Sequence, residues 1–325
     1  MVASLGGRGA PHRPVLPRET IEFLAAARGG LFVDGTVGLG GHSEAILEAA
    51  SDARVIGIDR DTEALDYAKQ RLAQFGDRFR TVHANFRDIE RVLADDGESA
   101  IDGVLIDLGV SSLQLDSPGR GFSFRVDAPL DMRMDAEGGG TTAADLLQSL
   151  PEAEIARIIY EYGEERRSRR IAKRIVERRE RGEPVATTKE LADLVAKVVG
   201  YSKTAKVHPA TRTFQALRIA VNEELEALDH LVATAVDLLK PDGRFVAISF
   251  HSLEDRIIKR ELRRLAGQCQ CPPRLPVCSC GARRAVEVLT RRPVTPSAIE
   301  AEQNPRARSA RLRAGRKLVA ERQAT

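Results

Sequence analysis

Residues 29–61 read GGLFVDGTVGLGGHSEAILEAASDARVIGIDRD, and this stretch decides the fold. An apolar run closes on Asp34, the glycine-rich segment Gly35–Gly41 follows, then the helix-like SEAILEAA, then a second apolar run that closes on Asp59. That order reads strand, loop, helix, strand. Further along, TEALDYAKQRLAQF spaces its apolar residues by three and four, RFRTVHANF is a third β-run ending near Asn85, and IDGVLIDLG is a fourth. Strands that are apolar nearly throughout and alternate with helices predict a parallel sheet covered on both faces.

After Asp107 the rhythm stops. Val110–Asp135 is rich in Ser, Gly, Pro and Asp and reads as a functional loop. From Ala143 to about Gly200 the spacing is helical, with Thr187 and Thr188 as caps and Gly182, Pro184 and Gly200 as breakers. The α/β pattern then returns with one long helix, FQALRIAVNEELEALDHLVATAVDLL, and with LKPDGRFVAISF, a turn followed by a buried strand. A helical block is therefore inserted into a doubly wound sheet domain.

At 325 residues the chain has room for two domains, and 42% hydrophobic with 30% charged residues excludes disorder as the main state. Apolar runs such as Phe245–Phe250 are far shorter than the about 20 residues that span a bilayer, so no membrane partner is expected. The stretch MVASLGGRGAPHRP has no apolar signal-peptide segment, and a cytoplasmic location is expected. The net charge of +3 demands no polyanion by itself, but its distribution is uneven. Residues 166–181 hold nine basic side chains against two acids, and 306–322 hold seven against one. Two such blocks predict a surface that tracks phosphates; the plainer reading is a solvated helix face and a disordered tail.

In an open α/β sheet, ligands bind at the carboxyl ends of the strands, beside a glycine loop and a helix N-terminus. Asp34–Gly40 reads DGTVGLG, with Gly38 and Gly40 four and six positions after the acid and Thr36 where many such loops carry another glycine. Structural turns also use glycine wherever φ is positive. Asp59 adds discrimination, because a carboxylate ending the second strand can accept hydrogen bonds from both ribose hydroxyls. The expected cofactor contains adenosine and is either a dinucleotide or S-adenosylmethionine. Asp34 repels a pyrophosphate and suits the cationic amino group of a methionine moiety, which favours methyl transfer over hydride transfer.

All four cysteines, Cys269, Cys271, Cys278 and Cys280, lie within twelve residues as CQCPPRLPVCSC. Four close thiols invite a structural zinc, although zinc sites more often use C-x2-C to C-x4-C pairs, and these are C-x-C twice across a Pro-rich turn. A redox-tolerant surface loop is the alternative.

Longer motifs carry a resemblance. HRPVLPRE (His12–Glu19), DGTVGLGGHS (Asp34–Ser43), DRD (Asp59–Asp61), DLGVSS (Asp107–Ser112), QLD (Gln114–Asp116), RGFSF (Arg120–Phe124), PLDMRMD (Pro129–Asp135) and SFHSLED (Ser249–Asp255) all resemble the RsmH family, formerly MraW. Its members are bacterial methyltransferases that modify N4 of a cytosine in the 16S rRNA decoding centre. The late NPRARSARLR is similar as well, and the likeness runs from His12 to about Arg313. It implies an α/β fold: a class I (Rossmann-like) methyltransferase sheet, doubly wound, with an inserted small all-helical domain. The expected divisions are 1–112 and 213–305 for the methyltransferase domain, 113–212 for the helical domain with its substrate-side loop, and 306–325 for a basic tail.

By matching position, the resemblance places S-adenosylmethionine contacts at Gly40, Gly41, His42, Asp59, Phe86, Asp107 and Gln114, beside Asp34 and Gly38 from the loop. Phe86 either packs on the adenine or is a core aromatic; His42 either touches the cofactor or helps start the helix at Ser43. Cytosine N4 is a poor nucleophile because its lone pair is delocalised, so the enzyme's task is alignment plus a hydrogen-bond acceptor for N4. Other amino methyltransferases carry D/N/S-P-P-Y/F at the fourth strand, where this chain has DLGVSS. Candidate catalytic residues are Asp107, Ser111, Ser112, Asp131, His251 and Ser252, with Glu254 beside them. HSLED either lines the base pocket or uses Glu254 and Asp255 to cap the helix IIKRELRR. The flipped base has few stacking partners: Phe122, Phe124, Phe250 or a guanidinium. Arg120 and Arg133, with Arg169, Arg170 and Arg174 of the first basic block, are expected to hold RNA. The expected partners are 16S rRNA in the small ribosomal subunit and a second copy of the chain. An NAD-dependent oxidoreductase and a non-catalytic RNA-binding module that keeps a cofactor fold are the rival functions.

Overall fold

The computed structural model describes residues 14–200 and 207–319, apart from 270, 273, 274, 276 and 278. His12 and Cys278 lie outside the described residues, as do residues 320–325 at the end of the second basic block. The chain forms two units, 1–109 with 228–325, and 110–227.

The first unit begins α1 (Pro17–Leu24), β1 (Leu31–Asp34), α2 (Gly41–Ala49), β2 (Arg54–Asp59), α3 (Thr62–Arg71), β3 (Phe79–His83), α4 (Ile89–Asp95) and β4 (Ile101–Asp107). The second holds α5 (Ser112–Asp116), α6 (Ala143–Ser149), α7 (Glu152–Gly163), α8 (Ser168–Glu180), α9 (Thr188–Val199) and α10 (Thr211–Asn222). The next helix, α11 (Glu224–Leu238), leads back to the first unit, which ends with β5 (Leu239–Ser249), α12 (Ser252–Leu265), β6 (Val286–Val288), α13 (Ala298–Gln303) and β7 (Arg311–Lys317).

The sheet order is β3-β2-β1-β4-β5-β7-β6. The first five strands pair in parallel, and β7 runs antiparallel to both neighbours. This is the doubly wound class I methyltransferase sheet. Leu31, Val33, Val104, Ile106, Phe245 and Ala247 pack on one face with α11 residues such as Leu231 and Val232; Phe32, Leu105 and Val246 pack on the other with Leu24 and Ile46. Both faces are covered, which is why those strands read as unbroken apolar runs. At the edge, β3 has no fully buried residue.

Three expectations need correcting. The long helix after Phe214 is two helices, because Glu223 takes a left-handed φ of 52° between α10 and α11 without a glycine or proline to announce it. The division between the units falls at Ala227 instead of residue 212. The basic end is not all tail: β7 sits between β5 and β6, with Leu312, Arg313 and Ala314 buried. Arg313 tolerates burial because Asp255 Oδ1 accepts from its Nε at 2.6 Å, and buried charges persist when paired.

The helical unit has its own core, built from residues such as Leu130, Ile155, Ile159, Ile171, Ile175, Leu191 and Leu217. Thr142 and Thr187 cap α6 and α9 in reciprocal capping boxes with Asp145 and Glu190. No described helix is long and apolar enough to cross a membrane.

Candidate active site

Three adjacent strands, β2, β1 and β4, end on Asp59, Asp34 and Asp107. Asp34 pairs in register with Gly57 and Leu105, so Asp59 and Asp107 each stand two residues beyond it. The loop after β1 is stitched to both neighbours: Gly35 N donates to Leu105 O at 2.9 Å and Val37 N to Ile58 O at 3.0 Å. Thr36 replaces a glycine for a reason visible here, since its Oγ1 accepts from Asp107 N at 2.7 Å and ties the loop to the end of β4. Gly38 and Gly40 hold φ of 48° and 78°, the left-handed region that a side chain would strain.

Asp34 is 1% exposed. Its Oδ2 accepts from Ser43 Oγ at 2.7 Å and its Oδ1 from Thr36 N at 3.3 Å, so it organises the loop from below instead of presenting a free carboxylate. Burial pushes its pKa up. Asp59 is half-buried; its Oδ2 accepts from Gly38 N at 2.8 Å and its Oδ1 from Asp61 N at 3.0 Å. Burial outweighs those bonds and pushes its pKa up to about 6. Arg71 braces the loop from outside, donating to Glu44 Oε2 at 2.6 Å and to Leu39 O at 3.2 Å.

At the end of β4, His42 Nε2 lies 3.5 Å from Asp107 Oδ2. Neither ring nitrogen of buried His42 is hydrogen-bonded among the described residues, and neither is the buried Asp107 Oδ1. Buried polar atoms are nearly always satisfied, so this cluster is where polar groups of a ligand would complete the set. Phe86 is half-buried and packs on the sheet core, with its Cβ held close over Gly35.

The HSLED segment builds the start of α12. His251 is the N-cap of α12, its Nδ1 accepting from Glu254 N at 3.4 Å, while Glu254 Oε2 accepts from Phe250 N at 2.8 Å and His251 N at 3.2 Å. Ser252 opens the helix. Asp255, in the first turn of the same helix, pairs with Arg313 and Arg311.

In the second unit, Ser111 caps α5 and Gln114, 4% exposed, closes the box with Oε1 accepting from Ser111 N at 3.0 Å. The side chain of Ser112 lies outside the description. Asp131 accepts from Arg133 Nε at 2.8 Å and Nη2 at 2.7 Å; burial works against its ionised form, but these bonds outweigh it and hold the pKa low. Arg120 donates to Arg133 O and Met134 O. Phe122 is buried, and Phe124 packs its ring 4.6 Å from His208 and 4.9 Å from Phe214. Of the expected stacking rings Phe122 is thus core and Phe124 and Phe250 are partly buried, while Tyr67 and Tyr160 are exposed.

Residues 9–318 match the MraW methylase family. This chain belongs to that family. A ribosomal RNA small subunit methyltransferase H from Geobacter sulfurreducens is 54% identical over 309 residues, covering 94% of this chain and 99% of that protein. A protein of the same name from Carboxydothermus hydrogenoformans is 52% identical over 307 residues, covering 94% and 98%. Among solved structures, an rRNA methylase from Streptococcus thermophilus aligns with a TM-score of 0.42 at 10% identity, covering 96% of this chain and 100% of that one.

Within this MraW methylase, the first basic block divides by function. Arg179 Nη1 donates to the carbonyls of Leu147, Gln148 and Leu150 at the end of α6, Arg167 to those of Val198 and Val199 at the end of α9, and Arg178 Nη2 to Glu190 Oε1. The bonds of Arg179 and Arg167 satisfy helix-end carbonyls, and that of Arg178 is an ion pair. Arg169 and Arg170 are exposed and make no ion pair among the described residues, while exposed Arg174 reaches Glu177 at 2.7 Å. Arg71 was not singled out from the sequence, and Thr36 and Ser43 were named there only as a glycine replacement and a helix start. Cys269, Cys271 and Cys280 bring their sulfurs within 4.8 Å of one another.

Proposed function

We propose that this chain transfers a methyl group from S-adenosylmethionine to the exocyclic N4 of a cytosine in the decoding centre of 16S rRNA, acting on the small ribosomal subunit. The observation that carries the reading is the strand-end cluster of Asp59, Asp107 and His42, where a buried carboxylate oxygen and both imidazole nitrogens have no hydrogen-bond partner among the described residues, although His42 Nε2 faces Asp107 Oδ2 at 3.5 Å. Gly35, Thr36, Val37, Gly38 and Gly40 already bond their backbone N–H groups within the protein. A pyrophosphate would meet acids and few free donors, which argues against a dinucleotide.

S-adenosylmethionine supplies an electrophilic methyl on a sulfonium. In the proposed arrangement, Asp59 accepts from the ribose hydroxyls, Gly38, Gly40 and Gly41 let the backbone approach closely, and Phe86 borders the adenine. Asp34 positions the loop. Asp107 offers its Oδ1 to an N4 hydrogen of the base, which favours a pyramidal nitrogen with its lone pair available, and after transfer the proton of the methylated nitrogen passes to water. His42 fixes the other oxygen of Asp107. Gln114 as a cofactor contact rests on the family resemblance; Ser111, Ser112, Asp131, His251 and Ser252 are proposed as polar pocket groups, His251 and Asp131 while also engaged in local structure. Arg169, Arg170 and Arg174 hold rRNA phosphates. Transfer from a sulfonium calls for no metal.

The test is incubation of the purified chain with labelled S-adenosylmethionine and small ribosomal subunits, followed by nuclease mapping and mass spectrometry. Label on N4 of one decoding-centre cytosine is the expected result. Label on another atom, or none despite cofactor binding, overturns the proposal.

A further inference from the structure

Between α12 and β6 the chain runs through residues 266–285 with no helix or strand among its described residues. Its neck is closed: Ala285 N donates to Leu265 O at 2.7 Å, Arg283 N to Arg264 O at 3.0 Å, and Ala266 bridges Arg284. Beyond the neck the loop does not bury its large apolar groups, for Leu275 and Val277 are 45% and 74% exposed. Loops of this length without elements of their own are uncommon unless something else orders them.

The loop does gather sulfur. Cys269 and Cys271 on one limb meet Cys280 on the other, all three Sγ atoms within 4.8 Å. Cys269 Sγ and Cys280 Sγ are 3.8 Å apart. A disulfide would bring them to about 2.05 Å. The edge of a tetrahedron with Zn–S bonds of about 2.3 Å is about 3.8 Å, so the two sulfurs, in thiol contact here, already stand at the spacing one ion would require. Ser279 N also donates to Cys271 Sγ at 3.3 Å, an arrangement that supports a thiolate there.

We propose that Cys269, Cys271 and Cys280 supply three of the four ligands of a zinc ion that clamps this loop against the C-terminal end of α12. The C-x-C spacing is no obstacle, because the site is assembled across the turn and not within one pair. Binding displaces the thiol protons and moves no electrons. The role is structural and independent of methyl transfer.

Full-length protein purified without chelators in zinc-containing buffer is expected to carry about one zinc per chain. The C269S/C271S/C280S variant should drop to background by elemental analysis while keeping its circular dichroism. Stripping the wild-type metal should speed proteolytic cleavage between 266 and 285 by about tenfold, and zinc should restore protection. Cobalt added to the stripped wild type should give a thiolate-to-metal charge-transfer band that the variant lacks. Zinc in the wild type no higher than in the variant, absence of the cobalt band, or a Cys269–Cys280 disulfide in the zinc-replete protein would each overturn the proposal.

Discussion

Replacing Asp59 with Asn removes one charge and one acceptor from the end of β2. Asp59 receives Gly38 N at 2.8 Å and Asp61 N at 3.0 Å on separate oxygens. Asn keeps one oxygen and turns an NH2 toward the other donor, stranding a backbone N–H at a cost of about 1–3 kcal/mol. The variant also loses a charge-assisted bond to the ribose, and about 2 kcal/mol lost there predicts a Kd for S-adenosylmethionine about 30-fold higher. The pH dependence separates charge from shape. Burial raises Asp59 from 3.8 to about 6, so the free folded protein holds this proton more tightly than the unfolded chain does. The corresponding stability is fully present below about pH 4 and is lost as pH rises through about 6, a total near 3 kcal/mol. Cofactor binding to the ionised carboxylate runs the other way, weakening as pH falls below about 6. Calorimetric titration and thermal melts of wild type and D59N between pH 5 and 8 read both effects. A D59N affinity within about threefold of wild type, or a wild-type affinity flat across that range, would refute the role given to Asp59.

D107N should lower single-turnover methyl transfer by about 100-fold or more, with a smaller change in cofactor Kd, both read with labelled cofactor. D255A strands buried Arg313 and should cost about 3–5 kcal/mol in denaturant unfolding, whereas the apolar pair D255L/R313M should recover most of it. R169E/R170E/R174E should reduce the slope of log K for rRNA binding against log salt by about 2 and leave cofactor affinity unchanged, by filter binding and calorimetry.

The parallel half of the sheet was legible because β1, β2, β4 and the end of β5 are covered on both faces and so read as apolar runs. The strand-end acids were legible for the same reason, as charges that terminate those runs. What escaped was whatever depends on a distant partner. RLRAGRK reads as a basic tail until Asp255, 58 residues earlier, is seen to neutralise Arg313. The Glu223 break carries no composition signal, because its left-handed φ falls on a residue that usually continues a helix. Arginine counting located the block at 166–181 but could not separate Arg167 and Arg179, which hold helix-end carbonyls, from Arg169 and Arg170, which face solvent. His251 reads as a pocket group because it follows a strand; what the sequence could not show is the reciprocal bonding with Glu254 by which it also starts α12.

The most direct measurement is mass spectrometry of 16S rRNA from cells that lack this protein, complemented with wild type or D107N. The expected result is an unmethylated N4 on one decoding-centre cytosine in the deletion strain, restored by wild type and not by D107N. An N4 methyl that persists in the deletion strain would contradict the proposed activity.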